Sequence, residues 1–146
     1  PTAIPPADPA LPAAGIRALL VDDHAMVRQG LRSVLDAYSD IQVVGEAQDG
    51  SEAVRLVGEL RPRVVVMDIS MPKMNGIEAT AEIKVRYPDT TVIGLSVNAD
   101  GENAEAMARA GAMRLLTKEA AVESLYDAIR EAVTVTEPGL ERLFTA

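Results

Sequence analysis

The chain has no cysteine and no tryptophan, one phenylalanine, three tyrosines and a single histidine, His24. Without cysteine there are no disulfides, no thiolate metal site and no cysteine nucleophile, which fits a reducing cytoplasm. Few aromatics leave little with which to stack a flavin or a base. Basic residues are outnumbered 14 to 22, for a net charge of −8. No Lys/Arg cluster stands out along the sequence, so this chain is expected to bind no nucleic acid. No apolar run reaches the roughly 18 residues that span a bilayer, and no membrane partner is expected. Residues 1–15 lack the charged start and apolar centre of a signal peptide. The first residue is Pro1, as in a processed chain or an excised fragment.

What is present suits one domain with a full core: 146 residues, 48% of them apolar. Residues 1–15, with five prolines and five alanines, read as an extended linker. From Ile16 the chain alternates strand and helix five times. Four apolar runs end in polar groups: Ala18–Val21 before Asp22 and Asp23, Val64–Met67 before Asp68, Val92–Leu95 before Ser96, and Met113–Thr117 before Lys118. Ile41–Ala47 makes the remaining strand. Between them, Val27, Leu31, Val34, Leu35 and Tyr38 recur at helical spacing, as do Ala53, Leu56, Val57 and Leu60, then Ile77, Thr80, Ile83 and Tyr87. Asp49 and Glu52 are spaced as a capping box. A small, Ala-rich helix over roughly 101–110 ends at Gly111, and a last helix is expected to bury Val122, Leu125, Ala128, Ile129 and Ala132. The domain spans 16–133, and 134–146 is a tail.

Five alternating units specify an α/β fold, a doubly wound parallel sheet with five helices. The flavodoxin-like strand order 2-1-3-4-5 is one of two common solutions, and it puts strands 1 and 3 at the switch point. Ligands of such sheets sit outside the carboxyl ends of the strands. Asp22, Asp23 and Asp68 would converge there. At about 5 Å and an effective dielectric of about 20, each carboxylate pair costs about 3 kcal/mol, which a hard divalent cation removes. Mg²⁺ is the expected cofactor. An aspartate is a competent nucleophile toward phosphorus. The metal, the Lys118 ammonium and the Ser96 hydroxyl would share the three equatorial oxygens of a transferring phosphoryl group. Each residue has a plainer role open to it: Asp22-Asp23 as an N-cap, Asp68 as a loop carboxylate, Ser96 as a small strand-end residue, Lys118 as a surface lysine, and His24 as an exposed first-turn residue.

The segments Val21-Asp22-Asp23-His24, Met67-Asp68-Ile69-Ser70-Met71-Pro72-Lys73-Met74-Asn75-Gly76, Leu95-Ser96-Val97 and Leu116-Thr117-Lys118 resemble the receiver domain of two-component response regulators over roughly residues 16–133. The run Asp22–Arg28 is most similar to receivers that carry a helix-turn-helix output, and similar receivers are fused to hybrid sensor kinases. The resemblance implies Asp68 as phosphoacceptor, with Asp22, Asp23, Asp68 and the Ser70 carbonyl holding Mg²⁺. It also implies Ser96 as the switch hydroxyl and Lys118 as the partner of the phosphoryl group. The donor would be a histidine kinase or phosphotransfer protein, and the chain a cytoplasmic phosphoacceptor rather than an enzyme. Phosphorylation would act through helix 4, strand 5 and helix 5, a face that would also serve homodimerisation or partner contact. Leu115 departs from the pattern, because the family usually has Tyr, Phe or His there.

Three rival readings are a degenerate receiver serving as a scaffold, an aspartyl-phosphate hydrolase and a flavin-binding module. The intact set of five side chains opposes the first. The second expects another aspartate two residues after its nucleophile, where this chain has His24 or Ser70. The third expects aromatic stackers and a phosphate-cradling loop.

Overall fold

In the computed structural model, residues 15–71, 73–97 and 101–135 are described. The elements alternate as β1 (Ile16–Val21), α1 (Ala25–Asp36), β2 (Ile41–Ala47), α2 (Gly50–Leu60), β3 (Val64–Asp68), α3 (Gly76–Arg86), β4 (Thr91–Ser96), α4 (Gly101–Ala110), β5 (Arg114–Thr117) and α5 (Lys118–Val135). All five strands are parallel, in the order β2-β1-β3-β4-β5. The expected linker lies outside the described residues except for Gly15, and the expected tail does so except that α5 runs on to Val135.

The pleat sends alternate side chains to opposite faces, and helices cover both. Ile16, Ala18 and Leu20 of β1 face α1 and α5, where Leu31, Leu35, Leu125 and Ile129 close one core. Leu19 and Val21 face α2, α3 and α4, where Val57, Ile83 and Met107 close the other. β1 and β3 are buried nearly throughout, as their unbroken apolar runs require. β5, at the sheet edge, buries only Leu116.

Three local expectations need correction. Val122 is 61% exposed, because α5 is rotated to bury Ala121 instead, on the stripe shared with Leu125, Ala128, Ile129 and Ala132. Tyr38 lies beyond the end of α1 and stacks on Tyr126, with ring centroids 3.7 Å apart. The Tyr126 hydroxyl and Arg130 both donate to Asp40 Oδ2, tying the α1–β2 turn to α5. Glu52 does not close a box on Asp49. The Asp49 side chain accepts the Glu52 N–H, but Glu52 reaches past it to the N–H of Gln48.

A complete capping box does form on α3. Asn75 Oδ1 accepts the Glu78 N–H at 2.9 Å, and Glu78 Oε1 accepts the Asn75 N–H at 3.3 Å. Asn75→Ala should therefore cost about 1 kcal/mol, read as a lower urea midpoint at unchanged slope.

α4 is held to the sheet through Met107, its one buried residue among those described. Met107 sits over Gly94, where a Cβ would lie 2.7 Å from the methionine methyl. Gly111, at φ +112°, ends the helix, and its N–H returns to the Met107 and Ala108 carbonyls. Among the described residues, this small, Ala-rich helix is thus anchored by a single side chain in a glycine-made notch.

Candidate functional site

Asp22 follows the last residue of β1 and is fully buried. It does not cap α1. The N-cap is His24, whose side chain makes no capping bond, and the His24 N–H is instead donated to Asp22 Oδ1 at 2.9 Å. The loop is fixed from α1: Arg28 donates to the Asp22 carbonyl at 2.5 Å. Its Nε, and that of Arg32, bind the two oxygens of Glu46 on β2. Arg28 foremost, with Arg32, holds the Glu46 carboxyl below its usual range against the opposing effect of burial.

Asp68 is the last residue of β3, next to β1 in the sheet, and is 2% exposed. Its Oδ1 accepts a long bond from the Ser70 N–H at 3.4 Å. Lys118, first residue of α5, completes the group. Its ammonium lies 2.8 Å from Asp22 Oδ2 and 3.3 Å from Asp68 Oδ1. Thr117 Oγ1 accepts the Ala120 N–H and anchors this turn, so Lys118 is held rather than free at the surface. Burial, then the charge of Asp22, pushes the Asp68 carboxyl up to about 6, against the pull of Lys118. Burial alone would draw the Lys118 ammonium down. The hydrogen bond that Lys118 donates to Asp22 and the field of Asp68 outweigh it, so the net shift is upward and the cation persists.

Asp23 lies beside Asp22, with its Oδ1 3.2 Å from His24 Nδ1. Asp22, Asp23 and His24 each offer a ligand atom within 4.8 Å of the others. Ser96 ends β4, buried, on the strand next to β3. Ser70 stands two residues beyond Asp68. Thus one ammonium joins Asp22 and Asp68, Asp23 is adjacent, and Ser96 and Ser70 share the same sheet edge. Leu115 pairs with Gly94 in register and packs in the Met107 core, so an aliphatic contact under α4 occupies the position that is usually aromatic.

Sequence reading missed two supports. The His24 contacts to both aspartates were hidden because the residue read as an exposed first-turn position. Arg28 was visible only as a cation six residues after Asp22, and nothing in the spacing says that it reaches back to a carbonyl.

A divalent cation fits the carboxylates. Asp68 Oδ2 is buried with no hydrogen-bond partner among the described residues, which ordinarily marks a missing ion or water. The oxygen-rich donors suit a hard cation.

The model of the response regulator receiver domain matches residues 18–130. The chain is 47% identical over 126 residues to the transcriptional regulatory protein LiaR of Bacillus subtilis, covering 86% of this chain and 59% of that one. It is 37% identical to DegU of Brevibacillus brevis, covering 79% and 49%. The chain therefore spans about half to three-fifths of the curated relatives it matches. Among solved structures, the response regulator domain of Thermotoga maritima CheB superposes with a TM-score of 0.76 at 36% identity, covering 81% of this chain and 96% of that one. A LuxR-family two-component response regulator from Aurantimonas gives 0.76 at 35%, covering 80% and 84%. Sheet order, acidic pocket and these matches agree: the chain belongs to the receiver domains of two-component response regulators.

Proposed function

We propose that Asp68 accepts a phosphoryl group from a phosphohistidine on a histidine kinase or phosphotransfer protein. The observation that carries this reading is the pair of buried carboxylates, Asp22 and Asp68, joined by the half-buried Lys118 ammonium, with Asp68 Oδ2 unpartnered among the described residues. An Asp68 carboxylate oxygen forms the new bond to phosphorus as the phosphorus–nitrogen bond of the donor breaks, and the imidazole leaves as the neutral base once protonated. Lys118 offsets charge on the transferred group, and Ser96 donates a hydrogen bond to it. Asp22, Asp23, Asp68 and the Ser70 carbonyl are the residues that would hold Mg²⁺, which supplies charge neutralisation at the phosphoryl oxygens. Arg28 keeps the Asp22 carbonyl in place from α1.

Phosphorylation adds about −1.5 to −2 charges and draws Ser96 toward the new oxygens. α4, anchored through Met107, then shifts against β5 and α5, and this face meets a partner or a second copy. Leu115 reports the shift by repacking under α4, with no polar tip to bury or expose. The whole-protein output of the relatives, transcriptional regulation, is the natural setting for such a switch.

Incubation with acetyl phosphate and Mg²⁺ should add one phosphoryl mass, lost with chelator and in Asp68→Asn. Unmodified mass in the wild-type protein, under conditions where its fold is intact, sinks the phosphoacceptor reading and favours a scaffold.

A further inference from the structure

At the end of the sheet away from Asp68, the segments leading into β1, β3 and β4 enclose a cleft of about 370 Å³. Four arginines line it, Arg17, Arg61, Arg63 and Arg86, against one acidic lining residue, Asp89. In a chain of net charge −8, this concentrates one sign where the rest of the molecule carries the other. It escapes notice in the sequence because the arginines come from different elements. Arg17 is on β1, Arg61 is the C-cap of α2, Arg63 precedes β3 and Arg86 ends α3.

The Arg17 and Arg61 guanidinium groups are positioned by neutral partners. Arg17 donates to the Arg61 carbonyl at 3.0 Å, and Arg63 to the Val133 carbonyl at 3.2 Å. The Arg61 guanidinium lies 4.6 Å from the centroid of the Tyr87 ring, from a left-handed backbone position at φ 48°. A carbonyl or a ring orients a guanidinium without cancelling its charge, and each guanidinium has five donors. Among the described residues, neither Arg17 nor Arg61 forms an ion pair with a carboxylate, while Arg86 reaches Glu82 at 3.3 Å.

We propose that this cleft binds a phosphate-bearing small molecule of about nucleotide size. Guanidinium forks match phosphate oxygens in paired hydrogen bonds, and converging forks favour a multiply charged anion over a single carboxylate. The volume lies in the range of small-ligand pockets, about 300–1,000 Å³, and is too small to seat a folded partner or a duplex. Gly15 and Val133 also line it, so the ligand sits where β1 begins and α5 ends. The strand between this cleft and Asp22 is six residues long, or about 20 Å, which makes it a separate site that does not depend on the phosphoacceptor reading.

Amide resonances of the full chain test this, with chelator present to keep metal-assisted phosphate binding at Asp68 silent. The probes are ADP, pyrophosphate and inorganic phosphate at constant ionic strength, with sulfate as control. ADP or pyrophosphate should shift the amides of Arg17, Arg61, Arg63 and Tyr87 saturably, with Kd below about 1 mM. Equal shifts by the two place the affinity in the diphosphate, and tighter ADP binding adds the nucleoside. Arg86→Gln, at an exposed side chain, should weaken binding about threefold, and Arg61→Gln with it about tenfold or more, with acetyl phosphate labelling unchanged. If Arg61→Gln lowers stability, Arg86→Gln still decides. The proposal is overturned by non-saturating shifts up to about 10 mM, by sulfate producing the same shifts, or by an unaltered Kd in Arg86→Gln. It is also overturned if a short single-stranded oligonucleotide binds more tightly than ADP.

Discussion

Gly76→Ala is expected to destabilise the domain by about 3 kcal/mol or more and to disturb Asp68 with it. Gly76 is the first residue of α3, and a Cβ there would lie 2.0 Å from the Asp68 carbonyl oxygen. The Asp68 carbonyl carbon and Ile69 Cα would each be 2.9 Å away. These are backbone atoms of the site's central strand and cannot swing aside as a side-chain tip does. The Gly76 N–H already bonds the Ile69 carbonyl at 2.8 Å, closing the loop onto the strand end, and the Ile69 N–H bonds the Leu95 carbonyl at 3.0 Å. Relief must come from moving the peptide that carries Asp68, so labelling by acetyl phosphate should fall together with the urea midpoint. Gly30→Ala is the control. It sits within α1 with open space around it, and should gain about 0.5–1 kcal/mol from helix propensity. A Gly76→Ala protein within about 0.5 kcal/mol of wild type would mean that the 69–76 loop yields without strain.

The sequence carried the fold because the sheet interior leaves little choice of residue. Val64–Met67 and Ala18–Val21 must be apolar on both faces, so their runs are continuous and bounded, and their polar ends locate Asp22 and Asp68. Five alternations narrowed the order, and handedness narrowed it further. What stayed hidden was set by contacts distant in sequence. The rotation of α5, which exposes Val122 and buries Ala121, depends on how the helix meets β4 and β5, and 3.6-residue periodicity leaves either rotation open. The stacking of Tyr38 on Tyr126 joins residues far apart in the chain. At the site, residue types were legible while the supports were not: Arg28 holds a backbone carbonyl, which leaves no mark on the partner's identity. The arginine cleft was invisible for the same reason, since dispersed positions meet only once the strands are laid side by side.

Lys118→Met is expected to destabilise the metal-free domain at pH 7 by about 3 kcal/mol, and acid should return much of that loss. Removing the ammonium leaves Asp22 and Asp68 buried together, with the cation that faced both of them gone. The sign of the pH dependence follows from Asp68. Its carboxyl is at about 6 in the fold against an ordinary 3.8, so the folded state binds its proton more tightly than the unfolded chain. Stability from this group is therefore present at low pH and lost as pH rises from about 3.8 through about 6. In the wild-type protein the loss is about 2 kcal/mol after allowance for solvent screening. Without Lys118 the opposing pull disappears, the folded value rises further, and the window widens upward. Glu46 runs the other way: its carboxyl is held low by Arg28, so its contribution is lost as pH falls. The difference between variant and wild type cancels that background. Measured by urea denaturation in chelator, the gap between Lys118→Met and wild type should narrow steadily from pH 7 to pH 5. Asp68→Asn removes the carboxylate itself and should exceed wild type in stability at pH 7, with the gap closing toward pH 4. Mg²⁺ should raise wild type and Lys118→Met and leave Asp68→Asn much less affected, because a cation on these oxygens supplies the charge that Lys118 otherwise gives. If Lys118→Met instead loses the same amount at pH 5 as at pH 7, its role is packing of the methylene chain, and the buried carboxylates are not the strained element of this fold.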